Sequence, residues 1–166
     1  MRYDPFREEK AVCLSVYLGT SRPLQLPTAP SAGELAIELA RWTPAPLTNH
    51  RFVYYLGRRG SGAELECSCL FAEHILWTDT GPKIESDELY PESGPCPFEL
   101  LRRLCAESGR DDGWTTIVCD DGGGVEQPSR VDDYEDVPIR LDNIVRGNLL
   151  FASTLGFPWR VMHVIP

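Results

Sequence analysis

Two cysteines, Cys67 and Cys69, are the residues whose type and spacing are best suited to chemistry. They lie in residues 64–71, where apolar and polar side chains alternate. This pattern predicts a β-strand with both thiols on one face, about 6.5 to 7 Å apart. Thiolates that share a face are ligands for zinc or copper(I). The alternative is that both are small apolar core residues. Further metal ligands would come from other predicted elements, namely Cys13, Cys119 and His74.

A third thiol, Cys96, stands directly before Pro97, at the predicted start of a helix. A helix N-terminus stabilises a thiolate, which makes Cys96 a candidate for thiol redox chemistry. The stretch Gly94-Pro95-Cys96-Pro97-Phe98-Glu99 resembles the active-site turn of glutaredoxins and omega-type glutathione transferases. Residues 85–94 are polar, however, where a thioredoxin fold has an apolar strand. The alternative is therefore an ordinary cysteine that precedes a helix.

Carboxylates are concentrated in residues 120–136, which we call the acidic segment. Their spacing does not follow a calcium-binding loop, and a run of three glycines interrupts them. Clustered carboxylates accelerate encounter with cations, so the segment predicts either a solvated surface or a landing site for a basic protein partner. The candidate partner-binding residues are Asp120, Asp121, Asp132, Asp133, Glu135 and Asp136.

The composition argues against several functional classes. The 166 residues include 25 Asp and Glu against 16 Lys and Arg, so the formal net charge is −9, which repels nucleic-acid phosphate. Uninterrupted apolar runs are far shorter than the ~20 residues of a membrane-spanning helix, and residues 1–10 are too charged for a signal peptide. We therefore expect a cytoplasmic protein without a nucleic-acid or membrane partner, in which the 6 cysteines stay reduced.

Periodicity predicts the elements that must position these residues. Strands are expected over 12–18, 51–56, 64–71, 74–78, 114–119 and 160–165. The glycine-rich stretch 57–62 is expected to be a hairpin turn, and residues 81–95 and 120–136 are expected to be loops.

Two helices are predicted from their start and stop signals. The first begins with a capping box of Ser31 and Glu34, continues to about Trp42 and ends at Pro44. The second begins at Pro97 and ends before Gly109. Strands and helices do not alternate regularly. We therefore expect an α+β fold, with a mainly antiparallel sheet and two or three helices in a single domain over residues 1–166.

Three segments resemble a group of small uncharacterised bacterial proteins, which have a Y-L-G-T-x-x-P-L opening, a V-Y-x-G strand and a C-G-C-G-F segment. The matching residues are Tyr17-Leu18-Gly19-Thr20-Ser21-Arg22-Pro23-Leu24, Phe52-Val53-Tyr54-Tyr55-Leu56-Gly57 and Cys67-Ser68-Cys69-Leu70-Phe71. The resemblance implies a single bacterial cytoplasmic domain. It implies no activity, because none is established for that group.

Signatures of catalysis are absent from the sequence. It has no nucleophile elbow, phosphate-binding loop or H-E-x-x-H motif. The histidines His50, His74 and His163 are scattered, so a structural or exposed role is expected for each. We therefore expect a non-enzymatic acidic binding module that engages a protein partner and needs no cofactor. The alternative is a zinc- or copper-binding or thiol-redox protein that uses Cys67, Cys69 or Cys96. The oligomeric state is left open, and an exposed Trp159 would suit a dimer.

Overall fold

The computed structural model describes residues 15–26, 35–62, 65, 68, 71, 74–78, 81–85, 97–110, 113–120, 134–145 and 159–166. One α-helix lies in this part of the chain, α1 (Pro97–Ser108), and short 3-10 turns cover Ala45–Leu47 and Leu141–Asn143. The strands are β1 (Ser15–Thr20), β2 (Leu35–Leu39), β3 (Phe52–Arg58), β4 (His74–Thr78), β5 (Gly81–Glu85), β6 (Thr115–Asp120), β7 (Tyr134–Arg140) and β8 (Trp159–Ile165).

Six of the strands form one sheet in the order β2-β3-β1-β6-β8-β7, and β4 and β5 form a separate antiparallel hairpin. Neighbours in the sheet are antiparallel, except that β7 runs parallel to β8 at one edge. The predicted mainly antiparallel sheet is therefore confirmed, with one parallel pair. That the chain is a single domain stays a prediction.

The sheet has two differently covered faces. The inner face packs against α1, whose buried stripe includes Phe98, Leu101 and Leu104. The outer face carries a smaller buried cluster of Tyr17, Leu47, Val53, Val118 and Val161. Alternation along each strand assigns neighbouring residues to opposite faces. Among the described residues, no helix is long and apolar enough to cross a membrane.

Most of the predicted strands are confirmed with small shifts of their ends. The strands expected at 12–18, 51–56, 74–78, 114–119 and 160–165 correspond to β1, β3, β4, β6 and β8. The helix that begins at Pro97 is confirmed as α1, and the amide of Gly109 bonds the carbonyl of Cys105 at its end. The glycine stretch 57–62 lies partly in β3, which continues to Arg58 before the chain turns.

The helix predicted from Ser31 to Trp42 is wrong over its described part, where residues 35–39 form β2. Leu35 and Leu39 are four positions apart, which is one helical repeat but also two strand repeats. Pairing with β3 decides between these repeats, because it buries Leu35, Ala36 and Ile37 in the sheet. Long-range pairing thus overrides the local signal.

The strand predicted over residues 64–71 is wrong at its described positions. Leu65 makes a single antiparallel bridge with Arg59, whereas Ser68 and Phe71 lie outside any strand. The amide of Phe71 bonds the carbonyl of Ser68 at 2.9 Å, which is a turn contact. Both residues are fully buried although they are three positions apart, so strict alternation fails here. Cys67 and Cys69 lie outside the described residues.

Two stretches expected to be loops contain strands. Residues 81–85 form β5, where Pro82 is tolerated because this strand pairs with β4 on one side. Asp120 ends β6, and Glu135 and Asp136 lie in β7, so both ends of the acidic segment are strand residues. In the part of the chain that the structure describes, α1 is the one α-helix where two or three helices were expected.

Candidate protein-binding face

Half of the outer face of the sheet is covered by residues 42–50, which we call the cover segment. Trp42 packs edge-on against Tyr17 of β1, with ring centroids 5.2 Å apart. Leu47 is fully buried against the same face. The cover segment is folded locally by the 3-10 turn, in which the amide of Leu47 bonds the Pro44 carbonyl and the amide of His50 bonds the Leu47 carbonyl. It therefore forms a compact lid over β3, β1 and part of β6.

On β6, β8 and β7 the outer face is partly exposed. Thr116, Val118 and Val161 are buried there, whereas several neighbouring side chains are exposed, and we call this area the open half-face. The register places Thr116 beside His163 and His163 beside Pro138, so the outward side chains of the three strands form cross-strand rows. Trp114 is 47% exposed and Ile165 is 44% exposed, which is high for large apolar residues. Among the side chains of this face that the structure describes, the exposed ones are Trp114, Asp136, Pro138, Arg140, His163 and Ile165.

A hydrogen-bonded row crosses the open half-face. Nε2 of His163 lies 2.9 Å from Oδ1 of Asp136, and its Nδ1 lies 3.4 Å from Oγ1 of Thr116. A neutral ring satisfies both contacts when Nε2–H donates to the carboxylate and the threonine hydroxyl donates to Nδ1. Thr116 is buried, whereas the side chains of His163 and Asp136 are 55% and 73% exposed. The row therefore ends in an exposed carboxylate on β7.

This row has the residue types of a hydroxyl–imidazole–carboxylate triad but not its working geometry. A nucleophile must be accessible and its base needs a nitrogen that can take the proton. The Thr116 hydroxyl is buried and lies 3.4 Å from Nδ1 of His163, so no accessible nucleophile stands beside the ring, although its two nitrogens are disposed as in such a triad. The arrangement orients the His163 ring and the Asp136 carboxylate.

His50 lies at the boundary between the cover segment and the open half-face. Its ring stacks against Trp114 with centroids 4.2 Å apart and planes tilted by 53°. Gly19 makes room for it, because a Cβ there would lie 2.6 Å from both the His50 ring and the Leu47 side chain. Both ring nitrogens of His50 are buried and have no hydrogen-bond partner among the described residues.

Burial lowers the pKa of His50 to about 4, since it disfavours the charged ring. The Leu47 carbonyl raises this pKa and nearby His163 lowers it further, but burial outweighs both. His50 is therefore neutral at physiological pH.

Trp114 is held in place by its backbone. The Trp114 amide bonds Oγ of Ser21 at 3.1 Å, and the Ser21 amide bonds the Trp114 carbonyl at 3.3 Å. This reciprocal pair joins the end of β1 to the start of β6. The exposed indole is thus presented from a fixed backbone.

The acidic segment joins two strands of the open half-face. Cys119 of β6 and Glu135 of β7 both pair with Arg160 of β8, so the segment leaves and re-enters the sheet at the same end. Among the predicted partner-binding residues, Asp120 lies in β6 while Glu135 and Asp136 lie in β7. The others, Asp121, Asp132 and Asp133, lie outside the described residues.

The predicted thiol sites are only partly described. Cys119 is buried in the cluster of the inner face, and no group of three or more metal-ligating side chains occurs among the described residues. Cys13, Cys67, Cys69 and Cys96 lie outside those residues, so the zinc or copper site stays a prediction. His74 lies in β4, in the separate hairpin.

Sequence reasoning missed the contacts of His163 and His50. The alternation at residues 160–165 predicts the strand that carries His163 but cannot supply its register against β6 and β7. The position of the His50 ring depends on the space left by Gly19, which lies about thirty residues earlier in the chain. The one usable signal was Asp136, which was selected for its charge and proves to be the hydrogen-bond partner of His163.

Comparison with known proteins gives no match: no family model, no curated protein and no solved structure matches the chain. The resemblance to the small bacterial proteins therefore stays a prediction, and any functional assignment depends on the geometry described above.

Proposed function

We propose that this protein is a non-enzymatic binding module whose open half-face receives a basic protein partner. The observation that carries the proposal is an exposed tryptophan, Trp114, on a partly exposed sheet face that also presents Ile165 and the His163–Asp136 pair. Tryptophan is enriched among the residues that dominate binding energy at interfaces, and monomeric surfaces rarely cluster exposed apolar residues.

Charge supports a basic partner. The acidic segment has seven acidic residues and one arginine, which gives it a net charge of −6 out of −9 for the whole chain. Its two ends lie at one edge of the open half-face, and Asp136 carries exposed negative charge onto that face. Such an arrangement attracts a cationic surface and orients it before contact.

The geometry of His163 supports binding over catalysis. The hydroxyl next to His163 belongs to the buried Thr116, so the ring has no accessible nucleophile to activate there, and its bond to Asp136 holds a carboxylate in place. A fixed carboxylate and a fixed indole on one sheet face lose little conformational freedom when a partner binds.

Affinity capture followed by titration of the purified partner tests the proposal. The immobilised full chain is used to isolate partners, and each candidate is then titrated against matched variants. Asp136→Lys is compared with Glu99→Lys, an exposed residue of α1 on the other side of the sheet, because both substitutions change the net charge by the same amount. Asp136→Asn removes the charge but leaves a side chain that can still hydrogen-bond His163.

We expect a basic partner whose affinity falls at least about tenfold for Asp136→Lys and for Trp114→Ala, but changes by less than about threefold for Glu99→Lys. Charge reversal at Asp132, Asp133 and Asp136 together should abolish capture. The proposal is wrong if the captured partners bind Asp136→Lys and Trp114→Ala as tightly as the original chain, or if no purified protein binds.

A further inference from the structure

We propose that His50 is a proton switch, which in its neutral form holds the cover segment on the sheet and on protonation releases it from Gly19 and Trp114. The switch is a property of this chain alone. Its effect on a partner, through the position of Trp114, rests on the proposed function.

The geometry leaves no place for a protonated ring. Both nitrogens of His50 are buried without a hydrogen-bond partner among the described residues, and the favourable effect of the Leu47 carbonyl does not offset burial, so a charged ring is poorly compensated there. Burying such a charged group is costly in free energy. The cost is relieved if the ring moves outward, because water can then hydrogen-bond its N–H groups. The close approach to Gly19 leaves no slack beneath the ring, so the direction of release is away from the sheet.

No ion pair of His50 occurs among the described residues. The ionisable residues that the strand register places on the same outer face are Tyr17 of β1, Glu38 of β2, Tyr55 of β3, Asp136 of β7 and His163 of β8, and Arg51 is next in the chain. Among the residues of β6 whose side chains the structure describes, Thr116 and Val118 lie on this face, and neither is ionisable. Glu38 is paired with Arg59, and Asp136 is bonded to His163. Of these groups His163 contributes to the pKa of His50, and it lowers it.

The cover segment can move as a unit because its own hydrogen bonds are local. The Leu47 and His50 amides bond carbonyls three positions earlier, and the Thr48 hydroxyl bonds the Ala45 carbonyl at 3.0 Å. The side chains of Trp42, Leu47 and His50 make contacts with the sheet. Losing the His50 contact removes the stacking partner of Trp114, which becomes freer on the open half-face.

Nuclear magnetic resonance of the full chain during acid titration, from about pH 7 to about pH 3.5, tests the switch. The imidazole signals of His50 and His163 are followed together with fluorotryptophan signals, of which the Trp114 line is assigned with Trp114→Phe. Amide exchange at Leu47 and His50 reports release of the cover segment, and exchange in β1 and β6 reports the sheet.

We expect the Trp114 line to shift with the same midpoint as His50, at a pH between about 4 and 6.5, while the amides of β1 and β6 keep their protection. The closed form titrates at the low value and a released ring at the ordinary value, so the observed midpoint lies between them. His50→Phe should abolish the shift, and His163→Gln should raise its midpoint.

Gly19→Ala provides an independent variant, because its Cβ should displace the ring and raise the midpoint even if His50→Phe does not fold. The proposal is overturned if His50 titrates without a change at Trp114, or if the sheet loses protection at the same midpoint. If His50 and Trp114 titrate together but the chain binds no partner, the proposed function is wrong and the proton switch is not.

Discussion

A single buried hydroxyl joins two strands of the sheet. Oγ of Ser68 accepts a hydrogen bond from the amide of Val16 in β1 at 2.8 Å, and it donates to the carbonyl of Leu56 in β3. Val16 and Leu56 are register partners, so the hydroxyl completes the hydrogen-bonding of this pair. Sequence alternation predicted Ser68 on a polar outward face, yet it is fully buried because it has these two backbone partners.

Replacing Ser68 with alanine should therefore be costly. Ser68→Ala leaves a buried N–H and a buried C=O without their partner, which should lower the free energy of unfolding by about 1 to 3 kcal/mol. Ser61→Ala is the matched control, because Ser61 is exposed and should change stability by less than about 0.5 kcal/mol. Urea denaturation measures both, and equal stability of the two variants would show that the hydroxyl is dispensable.

The lowered pKa of His50 makes stability depend on pH with a definite sign. Between its folded value of about 4 and its ordinary value of 6.5, the unfolded chain binds a proton that the folded chain does not. This contribution is fully present above pH 6.5 and is lost as the pH falls towards 4. Because the ring is only partly buried, we expect about 1 to 2 kcal/mol from this group. His50→Phe should flatten that part of the stability profile, and a profile equally steep in both proteins would contradict it.

At the scale of elements, the predictable parts are those whose local signals have one interpretation. Pro97, the apolar stripe and Gly109 are together compatible only with a helix, which is α1. The spacing of Leu35 and Leu39, in contrast, fits both a helix and a strand. Only pairing with β3 settles the second case, and pairing is not a local property. The strand expected around Ser68 fails for a related reason, because a turn contact and two long-range bonds replace alternation.

The packing of α1 on the inner face gives a prediction at this scale. Leu101 is fully buried, and Phe98 contacts Phe71 edge-on with ring centroids 5.5 Å apart. Leu101→Ala should lower the free energy of unfolding by about 2 to 5 kcal/mol, through lost burial and the cavity left behind. Glu99→Ala, on the exposed side of the helix, should cost less than about 0.5 kcal/mol. Thermal and urea unfolding measure both, and similar losses would mean that α1 does not pack as described.

At the scale of the whole molecule, only one of the two parts of the candidate site could be predicted from the sequence. The acidic segment is visible in composition, because seven acidic residues fall within seventeen positions. The open half-face is not, since its residues come from β6, β7 and β8, and their proximity depends on the crossed order β6-β8-β7. A histidine at 163 meets a carboxylate at 136 only when that register is known.

The separation of charge and apolar contact across the molecule predicts different roles in binding kinetics. Charges in the acidic segment act at a distance, but salt screens them within about 10 Å at 0.1 M ionic strength. Trp114 acts only after contact. We therefore expect association with the captured partner to slow by roughly tenfold or more as salt rises from about 0.05 to about 0.5 M, with dissociation changing less.

Trp114→Ala should show the opposite behaviour: dissociation at least about tenfold faster, with the salt dependence of association unchanged. The two rate constants can be measured by surface plasmon resonance with the full chain, and Glu99→Lys provides the control for a change in net charge that lies away from the open half-face. Association that is independent of salt would remove the acidic segment from the binding mechanism. Unchanged dissociation for Trp114→Ala would remove the open half-face from it, because contact between this indole and the partner must slow release.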